Sequence, residues 1–327
     1  MKMLITGGAG FIGHHFVNHL LLNTDYNMVI LDKLNYASSG FDRLRDINCF
    51  DEKRVMTLAT DFSKPLPQGI EKEIGSLDYI IHFGAETHVD RSIEDPEPFV
   101  MSNVLGTMHI LNFAKKQQNL EKMVYFSTDE VFGPAPENNF FEEWDRYNSS
   151  NPYAATKAGG EELCLAYANT YKLPIFITHT MNVFGERQHP EKFIPMTIKK
   201  VLLGEKVLIH SDATKTKSGS RMWIHARNVS SAIMFLLDKG KTRDKYNIVG
   251  EKEVSNLELA RFIAKIVGKP LDYEMVDFHS SRPGHDLRYA LSGEKMEKMG
   301  WKLPMDFEGS LAKTIKWTLK NKRWIGL

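Results

Sequence analysis

Residues 4–20 read LITGGAGFIGHHFVNHL, with Gly7, Gly10 and Gly13 in a Gly-x-x-Gly-x-x-Gly spacing. A short apolar run precedes the glycines and an amphipathic segment follows, so the stretch predicts strand, tight turn and helix in that order. Glycines there permit the turn and let backbone N–H groups approach a pyrophosphate, while the helix N-terminus adds partial positive charge. Glycine-rich turns are common, and the reading strengthens when the next strand ends in an acid. Asp32 meets that condition: it closes MVILD (28–32), 19 residues beyond Gly13. A carboxylate there can accept hydrogen bonds from both adenosine ribose hydroxyls and repels a 2′-phosphate, which points to NAD over NADP. Lys33, the next residue, is a sign the other way.

Outward from this motif, apolar runs alternate with longer amphipathic segments. The predicted strands are 3–6, 28–32, 55–60, 79–85, 123–128 and 175–180, with helix-like stretches that include 94–118 and 152–171. Several strands are continuously apolar and rich in Val and Ile, as strands buried on both faces should be. The alternation predicts an α/β fold: a doubly wound parallel Rossmann sheet with a smaller C-terminal substrate-binding region. The pattern changes near residue 183, where prolines punctuate shorter elements, and 221–237 reads as one more strand and helix returning to the main domain. The expected division is a cofactor-binding domain over 1–182 plus about 221–248, and a substrate domain over 183–220 and 249–327, meeting at a cleft.

Composition narrows the function classes. A net charge of +1 over 327 residues gives no bulk electrostatic case for nucleic acid or an anionic membrane. The basic stretch around Lys215 and Lys217 reads as a solvated loop. Cys49 and Cys164 form no metal pattern, no metal site is expected, and two thiols in a chain of this length suit a reducing compartment. Neither a signal peptide nor a span of about 20 apolar residues is visible, so the expected location is cytoplasmic.

The chemistry is concentrated in two segments. In STDEVFG (127–133), Asp129 and Glu130 are adjacent carboxylates at the end of an apolar strand, a setting in which burial and mutual repulsion raise a pKa. In NPYAATKAGGEEL (151–163), Tyr153 and Lys157 stand four apart, on one face of a predicted helix. An ammonium beside the phenol should lower its pKa toward working pH and make Tyr153 a base for a sugar hydroxyl.

Together, the glycine motif, Asp32 and Tyr-x-x-x-Lys resemble the extended short-chain dehydrogenase/reductases that act on nucleotide sugars. AETHVDRSI (85–93), STDEVFG, NPYAATKAG, HPEKFIP (189–195) and SRPGHDLRYAL (281–291) further resemble the dTDP-glucose 4,6-dehydratase family, from the first strand to about Trp301. The Asp-Glu pair separates these dehydratases from epimerases. The resemblance implies an NAD-dependent lyase. Tyr153 takes the O4 proton as C4 is oxidised, Glu130 removes the C5 proton, Asp129 protonates the leaving O6, and C6 is reduced. Thr128 would bond O4, and Lys157 would hold the nicotinamide ribose. Lys33, Asn35, Phe11, Ile12, Asp61, Phe62, Ala85, Thr87 and Ser102 would join the glycines, Asp32, Tyr153 and Lys157 around NAD. Thr87, Asn182, Lys192, Phe193, Arg221, Asn247, Arg282 and His285 would hold the nucleotide-sugar partner, the two arginines suiting its diphosphate.

The chain departs from the family at NVFGER (182–187), where Val183, Phe184 and Glu186 replace expected residues, at Arg187 and Gln188, and in a long stretch before Arg221. The version GERQHPEKFIP resembles relatives that use N-acetylglucosamine nucleotides. UDP-N-acetylglucosamine is the expected substrate, with UDP- or dTDP-glucose as alternatives and a 4-epimerase as the rival activity. A homodimer through the Tyr-x-x-x-Lys helix is the expected assembly.

Overall fold

The computed structural model describes residues 1–277 and 287–327. Its strands are β1 (Lys2–Thr6), β2 (Asn27–Asp32), β3 (Val55–Ala59), β4 (Tyr79–His82), β5 (Lys122–Thr128), β6 (Ile175–Thr180), β7 (Asn182–Phe184), β8 (Val207–Ser211), β9 (Ser220–His225), β10 (Lys245–Ile248), β11 (Glu253–Ser255) and β12 (Tyr273–Asp277). The helices that position the site are α1 (Phe11–Asn23), α2 (Asp42–Asp46), α3 (Gln68–Ile74), α4 (Val89–Glu94), α5 (Glu97–Phe99), α6 (Gly106–Ala114), α7 (Pro152–Tyr171), α8 (Phe193–Leu203) and α9 (Ala226–Lys239).

Seven strands form one sheet in the order β10-β6-β5-β4-β1-β2-β3, every pair parallel. Alternate residues of each strand enter opposite cores. Met3, Ile5, Met28 and Ile30 pack with Phe16 and Leu20 of α1 and Ile233 of α9. Leu4, Val29 and Leu31 pack with Ile110 and Leu111 of α6 and Cys164 of α7. Each fully buried aliphatic side chain contributes about 1.5–3 kcal/mol, so helices on both faces account for strands with almost no polar positions. Chain order reverses at β1, whose neighbours are β2 and β4. In such sheets the ligand crevice opens outside the carboxyl ends at that reversal.

Two predicted elements need correction. The stretch 94–118 is not one helix: α4 ends at Glu94, α5 begins after Pro96, and a π-helical turn (Val100–Leu105) leads into α6. Pro96, at the N-terminus of α5, lacks the N–H that would have continued the earlier helix. The strand read within 221–237 exists as β9, yet it pairs with β7 and β11 in a separate three-stranded sheet. Only its helix, α9, returns to the main sheet; the seventh main strand is β10, beside β6. Among the described residues no helix is long and apolar enough to cross a membrane. Cys49 and Cys164 are both free and buried.

Candidate active site

A cavity of about 330 Å³ opens at the β1–β4 reversal and runs from the glycine turn to the segment 180–193. At its first end backbone geometry decides. Gly7 has φ +69°, and a Cβ there would stand 2.8 Å from Gly84 Cα. A Cβ on Gly13 would stand 2.2 Å from the Gly7 carbonyl oxygen. The turn can therefore lie this close to β4 and to α1 only with glycines. Asp32 is buried and accepts hydrogen bonds from the N–H groups of Ala9 (3.1 Å) and Leu34 (2.9 Å). Burial raises its pKa; the two N–H bonds and the charges of Arg43 and Lys33 oppose that rise.

Lys33 gives its charge to Glu86 at 2.5 Å, and Asn35 donates to the same carboxylate at 3.1 and 3.2 Å. The residue that argued for a 2′-phosphate is thus already matched by an acid across the cleft. Arg43, which sequence reasoning missed, is fully buried. It donates to the carbonyls of Ala37 (2.8 Å), Ser38 (2.7 Å) and Arg187 (2.9 Å), pinning the loop after β2. Glu191 closes the rim, accepting from the Tyr36 hydroxyl at 3.5 Å and lying 3.7 Å from Arg91. Neither contact has a local sequence signal, because each joins distant segments. The close-approach glycines, the buried acceptor at Asp32 and the matched Lys33 fit a dinucleotide without a 2′-phosphate.

At the second end side chains decide. β5 runs into a 3-10 turn (Asp129–Phe132) capped by Thr128, whose hydroxyl accepts from Glu130 N–H at 3.4 Å and donates to Asp129 Oδ1 at 3.0 Å. Asp129 Oδ2 is buried with no hydrogen-bond partner among the described residues. Burial, then the charge of Glu130, pushes the Asp129 carboxyl up to about 7, against Arg221 and the Thr128 bond. Asn151, the N-cap of α7, donates to Glu130 Oε2 at 3.1 Å. It therefore ties the start of the Tyr-x-x-x-Lys helix to the carboxylate pair.

Tyr153 is buried, and its phenol departs from expectation. Burial and the Glu130 charge raise its pKa, while hydrogen bonding from Thr128 opposes them. Lys157 does not act as the expected counterweight: its ammonium donates to the Phe126 carbonyl at 2.7 Å and lies over the Tyr125 ring at 4.2 Å. Burial lowers Lys157 to about 8, with Glu161 opposing.

The cavity brings together Gly7, Gly10, Phe11, Ile12, Gly13, Asp32, Lys33, Asn35 and Phe62 with Ala85, Thr87 and Ser102. Thr128, Asp129, Glu130, Tyr153, Lys157, Asn182, Lys192 and Phe193 line it as well. Asp61 does not: it is exposed and accepts from Ser63 N–H, and only its neighbour Phe62 turns inward. Asn247 is also outside, fully buried on β10, where it bonds His179 (2.9 Å) and the carbonyls of Phe141 and Ser292. Those partners leave its amide no part in holding a sugar. Arg221 is not among the lining residues; it donates to the carbonyls of Ser220 and Leu287 at 2.7 Å, and its charge reaches Asp129. Arg282 and His285 lie outside the described residues.

The departures at 182–187 are also redistributed. Val183 lines the cavity, but Phe184 is core, Glu186 accepts from Arg227 at 2.9 Å beside His225, and Arg187 bonds Asp46. Phe184, Glu186 and Arg187 are not among the residues that line the cavity.

Residues 3–249 match the NAD dependent epimerase/dehydratase family. The chain is 38% identical to the low-salt glycan biosynthesis protein Agl12 of Haloferax volcanii, across 98% of this chain and 99% of that protein. It is 34% identical to dTDP-glucose 4,6-dehydratase 1 of Escherichia coli K12, covering 99% and 94%. The structure of DesIV, a dTDP-glucose 4,6-dehydratase from Streptomyces venezuelae solved with NAD and TYD bound, superposes with a TM-score of 0.89 at 33% identity, covering 99% and 98%. The chain belongs to the NAD dependent epimerase/dehydratase family, on its 4,6-dehydratase side.

Proposed function

We propose that this chain is a nucleoside-diphosphate-hexose 4,6-dehydratase, and that the residues lining the cavity have the roles that follow. The observation that carries the reading is Asp129: a buried carboxyl held up to about 7 next to a second carboxylate. Elimination needs one acid and one base, and two adjacent carboxyls that share a proton supply both near neutral pH. Tyr153 takes the proton from O4 while Thr128 bonds that oxygen. NAD held by the glycine turn and Asp32 would supply the hydride chemistry that oxidises C4 and later reduces C6, and its oxidised ring would add a positive charge favouring the Tyr153 phenolate. The C4 ketone acidifies C5, whose proton Glu130 removes. Asp129 gives its proton to O6, and water leaves. Glu130 returns a proton to C5, and the proton taken at O4 balances the one given to O6.

For the nucleotide sugar, two observations support different readings. Gln188, Lys192 and Phe193 of the GERQHPEKFIP segment line the cavity, in keeping with UDP-N-acetylglucosamine. The relatives named for dTDP-glucose favour a pyrimidine-linked glucose. Separate incubation with UDP-N-acetylglucosamine, UDP-glucose, dTDP-glucose and a GDP sugar, read by mass and NMR, decides among them. The expected product is lighter by one water. A mass-neutral conversion would make the chain an epimerase, and no water loss from any sugar would sink the dehydratase reading. A homodimer joined through α7 is the assembly we propose, and light scattering tests it.

A further inference from the structure

One buried carboxylate has no part in the reaction above. Glu161 is fully buried on α7, one turn beyond Lys157. Its oxygens accept from the Ser127 and Tyr147 hydroxyls, with His179 Nε2 at 3.1 Å and Lys245 Nζ at 3.6 Å. An acid this deep persists as a charge only when paired and hydrogen-bonded, and here β5, β6, β10 and the loop before α7 all supply partners.

What the arrangement accomplishes is visible on β5. Three consecutive residues of that strand are tied to α7. The Tyr125 hydroxyl donates to the Lys157 carbonyl at 3.2 Å, the Phe126 carbonyl accepts from the Lys157 ammonium at 2.7 Å, and the Ser127 hydroxyl donates to Glu161. Gly160 makes the approach possible, because a Cβ there would stand 2.1 Å from the Tyr125 hydroxyl oxygen. Thr128, Asp129 and Glu130 follow directly on the strand, and Tyr153 stands on the helix. The relative position of acid pair and phenol is thus fixed by these ties.

We infer that Glu161 is a positioning residue: it sets the register of the acid–base pair on β5 against the Tyr153–Lys157 pair on α7. The inference rests on the dehydratase reading for its assay. The titratable groups that face Lys157 are Tyr125, His82, Cys164 and Glu161 itself. Those that face Glu161 are His179, Tyr147, Lys245, Tyr125, Cys164 and Lys157. Glu161 is the chief influence raising the pKa of Lys157, against its burial. Without the carboxylate, Lys157 loses its proton at lower pH.

The test compares Glu161→Gln, Glu161→Asp and Ser127→Ala in the full chain loaded with NAD. In Glu161→Gln the alkaline limb of nicotinamide reduction at C4, a step in which Asp129 takes no part, should move down by about one pH unit, and kcat should fall about a hundredfold with KM within about threefold. Glu161→Asp keeps the charge and loosens the tie, so its limb should stay in place while kcat falls about tenfold. Ser127→Ala removes only the tie and should do the same. A folded Glu161→Gln with the wild-type limb and kcat overturns the inference. If that variant does not fold, wild-type kcat in both of the others overturns it, and the expected losses uphold it. If the wild-type chain loses no water from any sugar, only the dehydratase reading fails. The three variants are then compared by the rate of nicotinamide reduction at C4, which the same register governs.

Discussion

At the Gly7–Asp32 end of the cavity the backbone does the holding, through glycines that admit close approach and an aspartate whose oxygens are already bonded to N–H groups. At the Asp129–Lys157 end side chains do it, in a setting where burial and neighbouring charge have moved Asp129, Tyr153 and Lys157 from their ordinary pKa values. The first end resists change by steric exclusion and varies little with pH. The second depends on which groups hold protons, so conditions and single isosteric substitutions should change it strongly.

The sharpest challenge to that contrast is Glu130→Gln. It should lower water loss about 10³-fold while nicotinamide reduction at C4 survives, as read by product mass and absorbance. Equal loss of both steps would remove the division of roles between Tyr153 and the carboxylates. Asp129→Asn should lower elimination about 10²-fold. In the wild-type chain elimination should fall as pH rises through about 7, where Asp129 gives up its proton. The stability sign follows the same group. Its folded pKa is raised, so the stability it confers is full below about pH 4 and is lost as pH rises through about 7. Asp129→Asn should therefore raise Tm more at pH 8 than at pH 5, by thermal unfolding.

At the other end, Asp32→Ser should weaken NAD about tenfold to a hundredfold, narrow its preference over NADP, and leave the pH profile unmoved. A shifted profile would mean that the two ends are electrostatically joined. Smallest of all, Asp61→Ala should change NAD affinity by less than about twofold in titration calorimetry, because Asp61 faces solvent.

The same contrast explains what could be read in advance. The six predicted strands stand within a few residues of β1 to β6, because all but the edge strand β3 are buried on both faces and leave an unbroken apolar run. The glycine turn and Asp32 were legible for a similar reason: their spacing is local. Glu161 had a local signal too, four residues beyond Lys157 and within reach of the same face. Nothing local places Arg43 beneath the loop it pins, or turns Asn247 toward His179 instead of the cavity, since those contacts join segments far apart in the chain. The raised pKa of Tyr153 was misread because the spacing of Tyr153 and Lys157 says that they share a face. It does not say that the ammonium will be taken by the Phe126 carbonyl.

Tyr153, Lys157, Gly160 and Glu161 occupy successive turns of one side of α7. One residue inserted between them would rotate whatever follows by about 100° and advance it about 1.5 Å, carrying Glu161 away from Ser127 and pushing a side chain into Tyr125. The length of this helix between 153 and 161 is therefore fixed by its ties to β5. Insertions that lengthen the protein must fall in connections elsewhere, such as the exposed turn at 212–217.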